Sequence, residues 1–476
     1  MPRFVIAAAV AFLPSLALAQ PPDRSTAPVP GPTPVLTLPP VERARLSNGL
    51  DVRVVEMHEV PVVRIALLLR NGAAADPLSK PGVASLTAAM LDEGAGKLSA
   101  LEISDAAAFL GASLATGSSY DASFVSVGVP VARLEPALAL LADVALRPTF
   151  PTADLERLRT ELLTNMLQTR DNPAAVASLA FPRLLYGTAH RYGTSESGTP
   201  ESVKAISADD LRAFHQAQYR PDTAQLIVVG DVNRSTVLPL FERAFGGWTA
   251  QGAAPTPQSV PEARQVTARR VVLVDKPGAA QSQIRIGWIG VPRSTPDYFP
   301  LTVANTVLGG SFTSRLNTNL RETHGYAYGA SSQFVMRRQA GPFVGAAGVQ
   351  TDKTAESVRE FFNEFAGIQK PIPADEFGKA QRNVALSFPG DFETTGDLLA
   401  RLQAQAVLGL PDDVYSTYVQ KVMAVTPADA ARVAAQYIQP AKFLVLVVGD
   451  RAKVEAPLRA LNLGPMTVLS IDEALK

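Results

Sequence analysis

The sequence predicts an α+β protein built from two homologous halves, and three observations predict it. The first is a repeat: SADDLRAFHQAQYRPDTAQLIVVGDV, from Ser207, returns as TPADAARVAAQYIQPAKFLVLVVGDR, from Thr426, with a one-residue gap. Helix, Gln-Tyr, proline, apolar strand and Gly-Asp turn recur in the same sequence, with Val229-Gly230-Asp231 lying 219 residues before Val448-Gly449-Asp450. The second is that strand-like and helix-like patterns follow one another in the same order on either side of a Pro/Gly-rich stretch. The third is size, since 476 residues exceed what one hydrophobic core usually serves.

Taken in order, residues 1–19 read as a secretory signal. Arg3 gives a positive start, Phe4 to Leu13 an apolar core too short to span a bilayer, and Ala17-Leu18-Ala19 a small-x-small cleavage site before Gln20. The mature chain is then expected outside the cytoplasm, in the periplasm of a Gram-negative host. Residues 20–40 are rich in proline and read as an extended tether. No other run approaches the roughly 20 apolar residues of a membrane helix.

The N-terminal half is expected over 41–248. Asn48-Gly49 marks a tight hairpin, and Val62 to Leu69, apolar except for Arg64, suits a largely buried strand. Helices at Gly82–Asp92 and Leu101–Leu110, strands at Ser113–Thr116 and Ser123–Val129, and a helix at Leu134–Ala145 come next. Long amphipathic helices at Ala153–Thr169 and Ala174–Leu185 precede a helix at Ala208–Gln218, a strand at Ala224–Val229 and a helix at Arg234–Phe245. A linker is expected at 249–268. The C-terminal half, 269–476, repeats the order with strands at Arg270–Val274 and Ser282–Ile289, helices from Tyr298, and strands near Tyr326–Met336 and Phe343–Val349.

Composition narrows the chemistry. The 44 basic residues balance the 44 acidic ones with no basic cluster, which argues against nucleic acid as a partner. No cysteine is present, which excludes disulfides, thiolate metal sites and a cysteine-borne lipid anchor. The four histidines, His58, His190, His215 and His324, never fall three or four apart, so no pair shares a helix face toward a metal.

The most informative stretch is Leu308 to Gln333, LGGSFTSRLNTNLRETHGYAYGASSQ. Gly309-Gly310, which reads as a hinge, a place of close backbone approach or a helix N-terminal turn, leads into a helix-like segment, Ser311 to Glu322. A strand-like one follows from Tyr326. Arg321 falls in the last helical turn and Tyr328 near the strand's start, so folding back at Gly325 aims a guanidinium and a phenol at one point. Both can donate hydrogen bonds to a peptide carbonyl. The bland counterpart is an arginine that complements a helix dipole and a half-buried strand tyrosine.

Ser314-Arg315-Leu316, Leu320-Arg321 and Gly325-x-Ala327-Tyr328 resemble the arginine/tyrosine signature of the pitrilysin/insulinase family of inverted-zincin metallopeptidases. The resemblance covers nearly the whole mature chain. It implies that each half is a mixed, largely antiparallel sheet packed against helices, as in the mitochondrial processing peptidase. It also implies His-x-x-Glu-His on the helix after the first buried strand. Here the lead-in Pro81-Gly82-Val83-Ala84 and the trailing Met90-Leu91 enclose Ser85, Leu86, Thr87, Ala88 and Ala89, with no ligand or base among them. The family's third ligand projects to Asn165 or Met166, and Glu161 stands a turn away.

The resemblance therefore implies a non-catalytic subunit, holding no zinc of its own, whose Arg321 and Tyr328 contact the substrate backbone and the oxyanion in the active site of a partner. That partner would be a homologous chain carrying His-x-x-Glu-His and the zinc. Substrate would add as an extended strand to a sheet edge that the sequence does not single out. The alternatives are a scaffold of the same fold without chemistry, and an independent peptide-binding protein.

Overall fold

The computed structural model describes residues 36–250, 252 and 260–476. The expected signal and most of the expected tether, with part of the expected linker, lie outside the described residues.

Two six-stranded sheets carry the architecture. In the first half the strands are β1 (Glu42–Arg45), β2 (Asp51–Glu56), β3 (Val62–Leu69), the two-residue pair β4 (Gly94–Ala95) and β5 (Leu98–Ser99), β6 (Ser113–Ser118), β7 (Ser123–Pro130) and β8 (Ala224–Gly230). In the second they are β9 (Arg270–Asp275), β10 (Gln281–Ile289), β11 (Ala327–Phe334), β12 (Pro342–Gln350), β13 (Leu444–Gly449) and β14 (Met466–Leu469). The sheet orders are β1-β2-β8-β3-β7-β6 and β14-β9-β13-β10-β12-β11. Most pairings are antiparallel, while β2 with β8, β13 with β9 and β14 with β9 are parallel.

The repeat extends through both sheets. β2 and β9 begin at 51 and 270, β3 and β10 at 62 and 281, and the helices Ala208–Gln218 and Pro427–Tyr437 at 208 and 427, 219 residues apart each time. Only the strand beyond β2 or β9 breaks the pattern. β1 precedes its neighbour in sequence and runs antiparallel to it, whereas β14 comes from the chain's end and runs parallel.

Each sheet is covered on both faces, which explains the near-continuous apolar strands. In β3, Val63, Ile65, Leu67 and Leu69 join the first half's own core, with helix Leu134–Leu146 above it. Ala66 and Leu68 point the other way, toward Leu398, Leu399 and Leu402. Those leucines belong to helix Thr395–Leu408 of the second half, which lies on β3 and β8. The exchange is mutual, because helix Pro173–Tyr186 of the first half lies on β10 and β13 and buries Val176, Ala177, Ala180 and Phe181 against Val274, Leu444 and Leu446.

The connection from β11 to β12 adds a polar fastening. The backbone N–H of Arg338 donates to Asp121 Oδ2 at 3.2 Å, and Tyr186 Oη donates to the Ala340 carbonyl at 2.8 Å. The Arg337 guanidinium lies 4.2 Å and 4.7 Å from the ring centroids of Tyr120 and Tyr192.

Candidate functional site

The chain between β10 and β11 is not the single α-helix that its pattern suggested from Ser311 to Glu322. Helix Tyr298–Asn305 opens into a π-helical turn, Thr306–Gly310. A three-residue α-helical turn, Arg315–Asn317, then precedes a second π-helical turn, Thr318–Thr323. The two glycines are not a helix N-terminal turn but end the first π-helical turn, and the close backbone approach expected of them is found. A Cβ on Gly309 would stand 2.3 Å from the Ser332 nitrogen, so glycine permits the turn to lie directly on β11. π-Helical turns are uncommon and concentrate at functional sites.

Two asparagines tie this segment to the strand. Asn305 Nδ2 donates to the Ser332 carbonyl at 2.9 Å, and Asn317 Oδ1 accepts from the Ala330 N–H at 3.1 Å. Asn317 Nδ2 also donates to the Phe312 carbonyl at 2.6 Å. β11 ends its sheet, and Ala330 N–H and Ser332 C=O face away from β12. The two amides therefore occupy the edge groups that an added strand would use.

The signature residues divide into those that anchor and those that project. Leu316 and Leu320 are fully buried, and Arg315 makes a two-point ion pair with Glu376 at 2.7 Å and 2.6 Å. The chain reverses at Gly325, whose φ of +64° suits glycine. The Gly325 carbonyl accepts from Gln350 Nε2 at 2.9 Å. This turn brings Arg321 and Tyr328 together, with the guanidinium carbon 5.2 Å from the phenol ring centroid. The guanidinium carbon also lies 4.6 Å from the Phe312 ring centroid. Tyr328 is 87% exposed and Phe312 66%. Arg321 Nε lies 3.1 Å from Glu322 Oε1, and the stack fixes the guanidinium plane while the phenol faces solvent.

The sequence reading missed Phe312, Asn305 and Asn317. Phe312 had a signal, as an aromatic residue between a Gly-Gly pair and a polar run. The asparagines had none, because their value lies in strand groups 27 and 13 residues away.

The first half's ligand-bearing positions are in a different state. The predicted helix Gly82–Asp92 is shorter, Val83–Ala89. Its N-terminus is held by Asp76, which accepts from the N–H groups of Gly82 and Ala84 at 2.7 Å and 2.8 Å and pairs with Arg191 at 3.1 Å. Burial pushes the Asp76 carboxyl up to about 6, against the opposing pull of Arg191 and the two N–H groups. Ser85 Oγ donates to the Glu196 carbonyl at 2.7 Å, so a loop lies over the face that Ser85 presents. Ala88 is buried, Ala89 is exposed, and neither carries a donor atom. Asn165 and Met166 line a cavity of about 690 Å³ on the far side of that loop, with Arg183 and Thr199.

These residues do not fit a zinc ion, which takes about three His or carboxylate ligands. Among the described residues no group of three His, Asp or Glu side chains is placed to hold a metal ion. The histidines serve locally: His58 meets Asp231, His190 the Pro261 carbonyl, His215 the Ala145 carbonyl, and His324 stacks on Tyr326.

The two matched α+β halves thus carry a half-buried Arg321 beside an exposed Tyr328 and, on helix Val83–Ala89, no histidine or carboxylate. Residues 52–195 match the family model described as insulinase, peptidase family M16, and residues 205–384 match the one described as the peptidase M16 inactive domain. The chain belongs to this insulinase family. It is 28% identical over 293 residues to an uncharacterised zinc protease of Mycobacterium leprae, the match spanning 61% of this chain and 65% of that protein, just under two thirds. It is 24% identical over 401 residues to one of Streptomyces coelicolor, covering 83% and 86%. A solved peptidase M16 inactive domain of Pseudomonas fluorescens superposes with a TM-score of 0.80 at 26% identity, covering 86% of this chain and 98% of that one. Among the described residues no helix is long and apolar enough to cross a membrane.

Proposed function

We propose that this chain is the metal-free subunit of an exported two-chain zinc peptidase. It presents Arg321 and Tyr328 to the active site of a homologous partner that carries His-x-x-Glu-His and the metal. The observation that carries this reading is the contrast between the two halves. Arg321, half-buried, and Tyr328, exposed, stand together on a segment braced by Arg315, Asn305 and Asn317, while the ligand positions hold a serine already bonded to a carbonyl and two alanines.

The roles follow from the donor sets. The Arg321 guanidinium offers a fixed fork of N–H groups to a substrate carbonyl, and the Tyr328 hydroxyl offers one donor to the oxygen on which negative charge develops. The partner supplies the metal and the attacking water. The closed edge of β11 gives substrate no strand-addition site at Ala330 and Ser332, so an added strand would pair elsewhere. Residues 1–19 direct export, and the mature chain begins at Gln20.

The test is to mix this protein with a His-x-x-Glu-His homologue from the same host and follow peptide hydrolysis. Addition is expected to raise the rate. Tyr328→Phe or Arg321→Ala in this chain should lower kcat by about 10²–10³ if each removes one transition-state donor. Hydrolysis unchanged by adding the chain, or by either substitution, rejects the shared site and leaves the scaffold reading.

A further inference from the structure

A second cavity, of about 470 Å³, lies behind β11, between helix Tyr298–Asn305 and helix Thr395–Leu408. In it Arg293 lies flat on Tyr298, its guanidinium carbon 3.3 Å from the ring centroid. Stacking occupies the face of a guanidinium and leaves the N–H edge free, the arrangement in which arginine receives a carboxylate at two points. Among the described residues, no side-chain hydrogen bond or ion pair of Arg293 is found, unlike Arg401 in the same cavity, which is paired with Asp391. Two arginines and one aspartate leave the cavity a net positive charge. Two of its phenols are held neutral: burial pushes Tyr415 up to about 12 and raises Tyr418.

The cavity also has room for more than a carboxylate. It shares Met336, Ala404 and Leu408 with a neighbouring cavity of about 330 Å³ that reaches Tyr120 and Glu196 in the first half. The two adjoin as one cleft between the halves, positive around Arg293 and Arg401 and acidic at Asp121 and Glu196, where Arg337 also stands.

We propose that this cleft binds a peptide through one glutamate or aspartate side chain seated on the Arg293 guanidinium. Nothing in this depends on a partner chain or on Arg321 and Tyr328, so the test uses the protein alone.

Titration calorimetry would compare acetyl-Ala-Glu-Ala-amide with acetyl-Ala-Gln-Ala-amide, and with the acetylated tri-alanine free acid. The expected result is that the glutamate peptide binds at least about tenfold more tightly than its glutamine counterpart, a charge-assisted pair replacing a neutral one. Arg293→Gln should erase the preference, and Arg293→Lys should retain part of it. Should Arg293→Gln fail to fold, chemical-shift changes in the unaltered protein decide, since the glutamate peptide must perturb Tyr298 and Thr302. Equal affinities, no saturable binding, a preference that survives Arg293→Gln, or shifts elsewhere would overturn the proposal. So would tighter binding of the free acid, which would make the cleft a reader of chain ends.

Discussion

Tyr328 places a phenol in solvent beside a guanidinium that also lies close to the Phe312 ring. Removing its hydroxyl leaves no buried group unpaired, so Tyr328→Phe should barely change stability, within about 0.5 kcal/mol. Its expected effect lies in the mixed-chain assay. His58 behaves differently. Its Nδ1 lies 2.7 Å from Asp231 Oδ1, and that hydrogen bond, with help from Glu56, raises the imidazole above its ordinary 6.5. A histidine with a raised folded-state pKa stabilises the fold fully below 6.5 and loses that contribution as pH climbs through the raised value. An NMR titration should place the His58 midpoint above 6.5, and Asp231→Asn should bring it back. An unmoved midpoint would show that Asp231 is not the cause.

At the scale of elements, the two π-helical turns and their asparagines turn a sheet edge into a braced platform. Asn317→Ala would leave the Ala330 N–H buried without an acceptor, at a cost of about 1–3 kcal/mol. It would also release the Phe312 loop. Hydrogen exchange is the measurement that fits, since the Ala330 amide should lose protection while those of β13 keep theirs. Unchanged exchange would mean that the amide bridge contributes nothing.

Much of this region was legible: the strand, the reversal at Gly325 and the convergence of Arg321 and Tyr328 follow from local pattern. The π-helical turns were not, because Ser311–Glu322 has ordinary helical spacing. The contacts that accompany them lie far off in sequence, Gly309 against Ser332 of β11 and Arg315 with Glu376. The first half shows the same limit at smaller scale. Val62–Leu69 matches β3 residue for residue, yet nothing local to Ser85 announces the Glu196 carbonyl, 111 positions on, that takes up its hydroxyl.

At the scale of the molecule, each half depends on a helix from the other. Helix Thr395–Leu408 covers β3 and β8, and helix Pro173–Tyr186 covers β10 and β13. Fragments 36–248 and 269–476 should each expose these apolar faces and aggregate or stay loosely packed. Mixed, they should recover the native near-ultraviolet spectrum. The whole chain should unfold in one calorimetric transition, with Phe181→Ala, at about 3–5 kcal/mol, destabilising both sheets together. Two separate transitions would show that the halves stand alone.

The sequence by itself determined the doubled α+β plan, the order of the main strands and helices, and the absence of any histidine or carboxylate at Ser85, Ala88 and Ala89. These follow from periodicity, from a repeat and from the identity of side chains, all local properties of the chain. Only the tertiary structure decided which helix covers which sheet, which edge is closed and which arginine is left unpaired. Such outcomes turn on groups far apart in sequence that compete for the same burial and the same hydrogen bonds, and that competition is settled only when the chain packs.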